Sequence, residues 1–112
     1  MSDRTILLDL MEVIAARKAE PPGAKSYVRS LLDRGIPKIN EKIAEEAGEV
    51  VAASDEPGDA GRAHLVHEVA DLLFHTLVLL GYRDIPWSDV ESELRRRFGT
   101  SGITEKESRK SS

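Results

Sequence analysis

The chain has no cysteine, which removes disulfides, thiolate nucleophiles and Cys-ligated zinc or iron–sulfur sites. Aromatic residues are only 4% of the sequence, so any core must be built from Leu, Ile, Val and Ala. Basic residues are not in excess: 16 Lys and Arg against 20 Asp and Glu leave a net charge of -4. That balance argues against a nucleic-acid partner or an anionic membrane surface. An anionic substrate would also be repelled unless a cation or local lysines intervene. No unbroken apolar run reaches the ~18 residues of a membrane span. The start, "MSDRTILLDLMEVIAARK", has acids inside its apolar stretch and no small-residue cleavage site, so it does not read as a signal peptide. The expected location is the cytoplasm.

What is present is a soluble, helix-patterned chain. Its 112 residues suit one compact domain, with 40% hydrophobic and 32% charged residues. Ile6, Leu7, Leu10, Met11, Val13 and Ile14 recur at three- and four-residue steps, which predicts a first helix over 4–19. Pro21, Pro22 and Gly23 break it. Ser26 can cap a second helix, "YVRSLLDR", that Gly35 ends. Pro37 fits the first turn of a third helix over about 37–54. "SDEPGDAG" reads as a loop and about 60–81 as a fourth helix. Ser88 with Glu91 forms a capping-box pattern for a fifth helix, Ser88 to Phe98. Strand alternation and internal repeats are absent. The expectation is an all-α domain over 1–98, a bundle of about five helices, followed by a flexible polar tail over 99–112.

The third helix concentrates charge. Glu41, Glu45, Glu46 and Glu49 place four carboxylates in nine residues. Glu41/Glu45 and Glu45/Glu49 are like-charge pairs at i,i+4, which cost a helix a few tenths of a kcal/mol each. On a wheel of ~100° per residue with Ile39 at zero, Ile43, Ala44, Ala47, Val50 and Val51 span roughly 0–140°. Glu46, near roughly 340°, borders that face, whereas Glu41 reads as surface.

The fourth helix, "HLVHEVADLLFHTLVLLGY", is apolar nearly all round and is expected to be buried on most sides. Its polar residues His64, His67, Glu68, Asp71 and His75 form one stripe about a quarter-turn wide. No Lys or Arg lies in residues 63–82 to pair the two acids. The pattern is therefore Glu46-x-x-Glu49 on one helix and Glu68-x-x-Asp71 on another. Each i,i+3 pair shares a helix face, and packing the two faces would bring four carboxylates to one point. Such a point demands a hard cation, and Mg²⁺ fits because it prefers carboxylate oxygen and keeps waters that phosphate oxygens can replace. A structural network of ion pairs is the alternative. His64 and His75 stand one turn from Glu68 and Asp71 and can orient carboxylates. Lys38 and Lys42 are candidate phosphate contacts, or simply partners of neighbouring glutamates. A di-iron or di-manganese bundle would use Glu-x-x-His pairs, and the sequence has none.

"KINEKIAEEAGEVVAA", "LVHEVADLLFHTLVLL" and "ELRRRFGTSGITEKESR" together closely resemble the phosphoribosyl-ATP pyrophosphohydrolases of histidine biosynthesis. The resemblance runs from Ser26 to Arg109. The wider relatives are the MazG-like nucleoside triphosphate pyrophosphohydrolases, whose EExxE and ExxD motifs are matched by Glu45, Glu46, Glu49, Glu68 and Asp71. The resemblance implies an all-α, MazG-like bundle completed by homodimerisation. It implies Mg²⁺-dependent cleavage between the α and β phosphates of phosphoribosyl-ATP, giving phosphoribosyl-AMP and pyrophosphate. The metal would be held by Glu46, Glu49, Glu68 and Asp71, with Glu45 or Glu49 orienting the attacking water. Lys38, Lys42, His75, Lys106 and Arg109 are the candidate substrate contacts, and the tail "GTSG" offers backbone N–H groups to an anion. The family's fused cyclohydrolase domain would then be a separate protein. A house-cleaning NTP pyrophosphatase, or a non-enzymatic dimeric module with an acidic stripe, stays open as an alternative. One departure from the family is the acidic loop "SDEPGDAGRA", which leaves 18 residues between Glu49 and Glu68.

Overall fold

The computed structural model describes residues 5–99. Five helices follow in order: α1 (Ile6–Ala19), α2 (Tyr27–Arg34), α3 (Ile36–Ala53), α4 (Gly58–Tyr82) and α5 (Trp87–Phe98). No strand occurs among the described residues, as the patterning predicts. Lys106, Arg109 and the "GTSG" segment beyond Gly99 lie outside the described residues.

Local chemistry sets most boundaries. The Ser26 hydroxyl accepts from the Arg29 N–H at 2.8 Å, capping α2 as its position predicts. Gly35 both ends α2 and starts α3. Its N–H donates to Leu31 O at 3.0 Å, and its carbonyl accepts from the Ile39 N–H at 3.1 Å. It does so at φ 79°, a conformation that favours glycine. Two boundaries differ from expectation. Gly58 and Asp59 enter α4, so the connection shrinks to residues 54–57. The Ser88/Glu91 capping box does not form, because Pro86 already stands at the N-cap of α5 with φ -74° and ψ 151°. Its carbonyl takes the Asp89 N–H at 3.0 Å, so Ser88 lies inside the helix.

The most extensive helix contact joins α3 to α4, with α2 laid over both and α1 against α4. Ile14, Ile39, Leu77 and Val78 are fully buried at the junction. Tyr82 and Trp87 pack half-buried against that cluster, as core anchors. The α1–α4 approach is close because residue 81 has no side chain: a Cβ there would lie 2.4 Å from Ile14 Cγ2. Lys18 then closes the end of α4, its ammonium donating to Gly81 O at 3.1 Å, Tyr82 O at 2.9 Å and Asp84 Oδ1 at 2.8 Å. Buried Arg29 does the same for α1. Its guanidinium donates to the carbonyls of Arg17, Lys18 and Glu20 at 3.2, 2.9 and 3.2 Å and pairs with Asp33 at 2.7 Å.

By length and composition α4 would suit a membrane span, but it instead packs as the central helix of the bundle. It is not buried on most sides within one chain. Val66 is 63% exposed, and Val69 and Leu73 are exposed on the same stripe. Val51 on α3 is exposed as well, so the outer edge of the apolar arc expected on that helix is uncovered.

Replacing Gly81 by Ala is expected to destabilise the protein by about 1–3 kcal/mol, because a methyl group must displace Ile14 in a packed junction. Urea denaturation of the single variant checks this, and an unchanged midpoint would refute the close-approach argument.

Candidate functional site

The buried arc of α3 is shifted toward its acids. Ile39 and Ala53 are buried, and Ile43, Ala47 and Val50 are half-buried, while Ala44 and Val51 are exposed. On the helical wheel Ala53 falls near roughly 320° and Glu46 near roughly 340°. Glu46 therefore sits inside the packed arc, between Ala53 and Ile39, rather than beside it.

Across the seam lies Glu68 of α4, only 8% exposed. The Glu46 and Glu68 carboxyl groups are within hydrogen-bonding reach of each other, with Asp71 close enough to act on Glu46 electrostatically. Ligand atoms of Glu49, His64 and Glu68 lie within 4.8 Å of one another, as do those of His67, Glu68 and Asp71. Glu68 is thus the common member around which Glu46, Glu49 and Asp71 gather. Helical spacing explains the gathering: each i,i+3 pair projects from one face, and α3 and α4 present those faces to each other.

The histidines divide the surroundings. His64 spans two carboxylates, Nδ1 at 2.8 Å from Glu56 and Nε2 at 3.3 Å from Glu68. The Glu56 hydrogen bond, then the nearby carboxylate charges, hold its pKa above the ordinary imidazole value. His67, not His75, stands beside the Asp71 carboxylate, at 3.2 Å. His75 is 4% exposed; its Nδ1 lies 2.8 Å from the Asp71 backbone O and its Nε2 2.8 Å from the Tyr27 hydroxyl. The sequence reading missed Glu56 and Tyr27. For Tyr27 the one local signal was its place at the start of α2, directly after the capping serine.

Lys42 pairs with the exposed Glu45 at 3.2 Å, and that hydrogen bond raises the lysine pKa, with Tyr27 and Glu46 also contributing. Lys38 pairs instead with Glu41 at 3.2 Å, on the outer face. A cleft of about 760 Å³ between α1 and the start of α5 is lined by Leu8, Met11, Ile85 and Trp87 and holds none of these acids. Its one lysine, Lys18, is spent on the end of α4. The acids of the two motifs gather instead at the α3–α4 seam.

Burial, then the hydrogen bond to Glu68 and the charge of Asp71, push the Glu46 pKa above its ordinary 4.5. A carboxyl group that resists ionisation beside other acids is what a hard oxygen-seeking cation relieves, and Glu46, Glu49, Glu68 and Asp71 fit Mg²⁺ as a donor set. The same shift sets a pH dependence. Below pH 4.5 Glu46 is protonated whether folded or unfolded and takes nothing from stability. As pH rises the unfolded chain ionises first, so stability is lost until the raised folded pKa is passed. Metal-free Glu46→Gln is therefore expected to melt above wild type near neutral pH, with the gap closing as pH falls toward 4.5. Calorimetric melts across that range test it, and a gap that widens on acidification would contradict it.

The phosphoribosyl-ATP pyrophosphohydrolase family model matches residues 7–98, a span that contains every acid of the seam. A phosphoribosyl-ATP pyrophosphatase of Trichlorobacter lovleyi is 52% identical over 109 residues, which is 97% of each chain. One of Geobacter sulfurreducens is 55% identical over 105 residues, 93% of each chain. One of Rhodopirellula baltica is 44% identical over 110 residues, covering 97% of this chain and 91% of its own. With the match spanning all but the first residue of α1 and the whole of α2 to α5, the chain belongs to the phosphoribosyl-ATP pyrophosphohydrolase family.

Proposed function

We propose that the chain hydrolyses phosphoribosyl-ATP to phosphoribosyl-AMP and pyrophosphate, a step of histidine biosynthesis, with Mg²⁺ as cofactor and a cytoplasmic location. The observation that carries this reading is the convergence of Glu46, Glu49 and Asp71 on the buried Glu68, in a family whose relatives bear that activity in their names. Mg²⁺ held by these four residues would offset the negative charge of the triphosphate and the charge that builds on departing pyrophosphate.

The chain's own groups supply the rest. A water oxygen attacks phosphorus, the bond from that phosphorus to the α–β bridging oxygen breaks, and pyrophosphate leaves. The water's proton goes to a carboxylate at the rim of the seam. Glu49 and Glu45 are both exposed there and are the bases within that reading. Lys42, held charged beside Glu45, is the cation placed to meet a phosphate oxygen. His64 ties Glu68 to the 54–57 connection and holds that carboxylate in place.

A homodimer goes with this reading. Val66, Val69 and Leu73 recur at helical spacing on α4, and the C-terminal part of the same helix is covered by α1. A second copy of the chain is the partner that the family implies for the uncovered part. Charge here would be costly, so Val69→Lys is expected to shift the protein to monomer in sedimentation velocity, and a dimer retained at micromolar concentration would exclude this face.

The activity is tested by incubating purified protein and Mg²⁺ with phosphoribosyl-ATP, and separately with dCTP and dUTP. Phosphoribosyl-ATP is expected to be the substrate cleaved; cleavage of dCTP or dUTP instead would return the chain to the house-cleaning class. Glu68→Gln and Asp71→Asn are expected to lower kcat/KM by more than about 100-fold, beyond the cost of losing a residue that only orients a ligand. Retained helical circular dichroism distinguishes lost chemistry from lost fold.

A further inference from the structure

We infer that Tyr27 is the platform on which the purine ring of the nucleotide stacks, and that His75 is the positioning residue that locks it in place. The inference rests on the reading of the seam as a nucleotide pyrophosphohydrolase site. Tyr27 is the first residue of α2, directly after the capping Ser26, and Arg29 anchors the same turn to the end of α1. Its backbone is therefore fixed before its side chain meets anything.

The side chain is fixed as well. The Tyr27 hydroxyl lies 2.8 Å from Nε2 of His75. The other ring nitrogen, Nδ1, lies 2.8 Å from the Asp71 carbonyl oxygen, which can only accept. Nδ1 must carry the hydrogen, so in the neutral ring Nε2 accepts from the Tyr27 hydroxyl. The phenol hydrogen is thus spent inward, and its oxygen presents lone pairs to a donor on an incoming nucleotide. The ring stacks on Phe74 at 6.1 Å and 19°, and meets His75 edge-on at 5.8 Å and 87°.

Despite three anchors, Tyr27 is 51% exposed. An aromatic ring so held, with about half of the residue open to solvent, suits a nucleobase, which stacks without needing a particular edge. Its place fits that ligand. Asp71 is one turn from His75 on α4, and Lys42 and Glu46 carry the site from there along α3. Tyr27 acts on Lys42 electrostatically and His75 acts on Glu46, so both aromatic groups border the carboxylate seam. The exposed stripe of α4, by contrast, is purely aliphatic and offers no hydrogen bond.

The test combines kinetics with phosphoribosyl-ATP and equilibrium dialysis of AMP in the presence of Mg²⁺. Tyr27→Leu is expected to raise both KM and the AMP dissociation constant by about tenfold or more, with kcat changed far less. Tyr27→Phe keeps the ring and loses the lock, raising the same constants by only about two- to fivefold. His75→Asn is expected to match Tyr27→Phe and to add nothing on top of it. His75→Gln, whose amide oxygen reaches the former position of Nε2, recovers most of the loss. AMP binding unchanged in Tyr27→Leu would overturn the platform. An equal His75→Asn penalty in both backgrounds would overturn the positioning role. A monomeric Tyr27→Leu that binds AMP as before would make the ring a subunit contact instead. If wild type fails to cleave phosphoribosyl-ATP while AMP binding follows the expected order, the substrate assignment fails and the platform stands.

Discussion

Glu46 and Glu68 meet across the seam between α3 and α4, and the rest of the structure is arranged around that contact. Two carboxyl groups facing each other in a packed interface repel once both are ionised. Fully buried Ile39, Leu77 and Val78 hold the helices together nearby, each contributing about 1.5–3 kcal/mol of burial. Arg29 and Lys18 tie down the ends of α1 and α4 with charge-assisted hydrogen bonds to carbonyls. The fold thus supplies stability at the ends and junction of the bundle and withholds it from the middle of the seam. In the proposed reading, a cation held there would offset that repulsion.

The helices were legible because they obey local rules. Ser26, Gly35 and the apolar steps of α1 act within a few residues of themselves, so sequence spacing alone reveals them. The two acid pairs were legible for the same reason, since i,i+3 spacing dictates a shared face. What spacing does not convey is which arc a neighbour covers. The apolar arc of α3 was drawn around its aliphatic residues, but α4 covers it from the Glu46 side, leaving Val51 out. The capping box at Ser88 lost to Pro86 because a proline with an extended ψ ends the incoming segment two residues earlier. Tyr27 was hidden for a further reason: its partner, His75, is 48 residues away in the chain.

The three histidines show how one stripe on a helical wheel separates into distinct environments. Their angular positions on α4 fall within about 80° of one another, yet their depth differs. His67 stays mostly in solvent beside the Asp71 carboxylate. His64 is partly covered and bridges toward the 54–57 connection. His75 is sealed beneath α2 and faces a phenol rather than an acid. Depth follows from where α2 crosses α4, a tertiary fact with no local signature.

Gly35 joins α2 to α3 with no intervening loop, and this leaves the corner without slack. Tyr27 reaches the site from one side of it and Lys42 from the other, eight residues before and seven after. Adding a single residue at the corner would rotate one helix by ~100° against the other and swing the tyrosine away from its imidazole. The connection at 54–57 has no such coupling to the helix register of α2. Length variation is therefore forbidden at the corner where α3 begins, which makes α3 a ruler read from its N-terminal end.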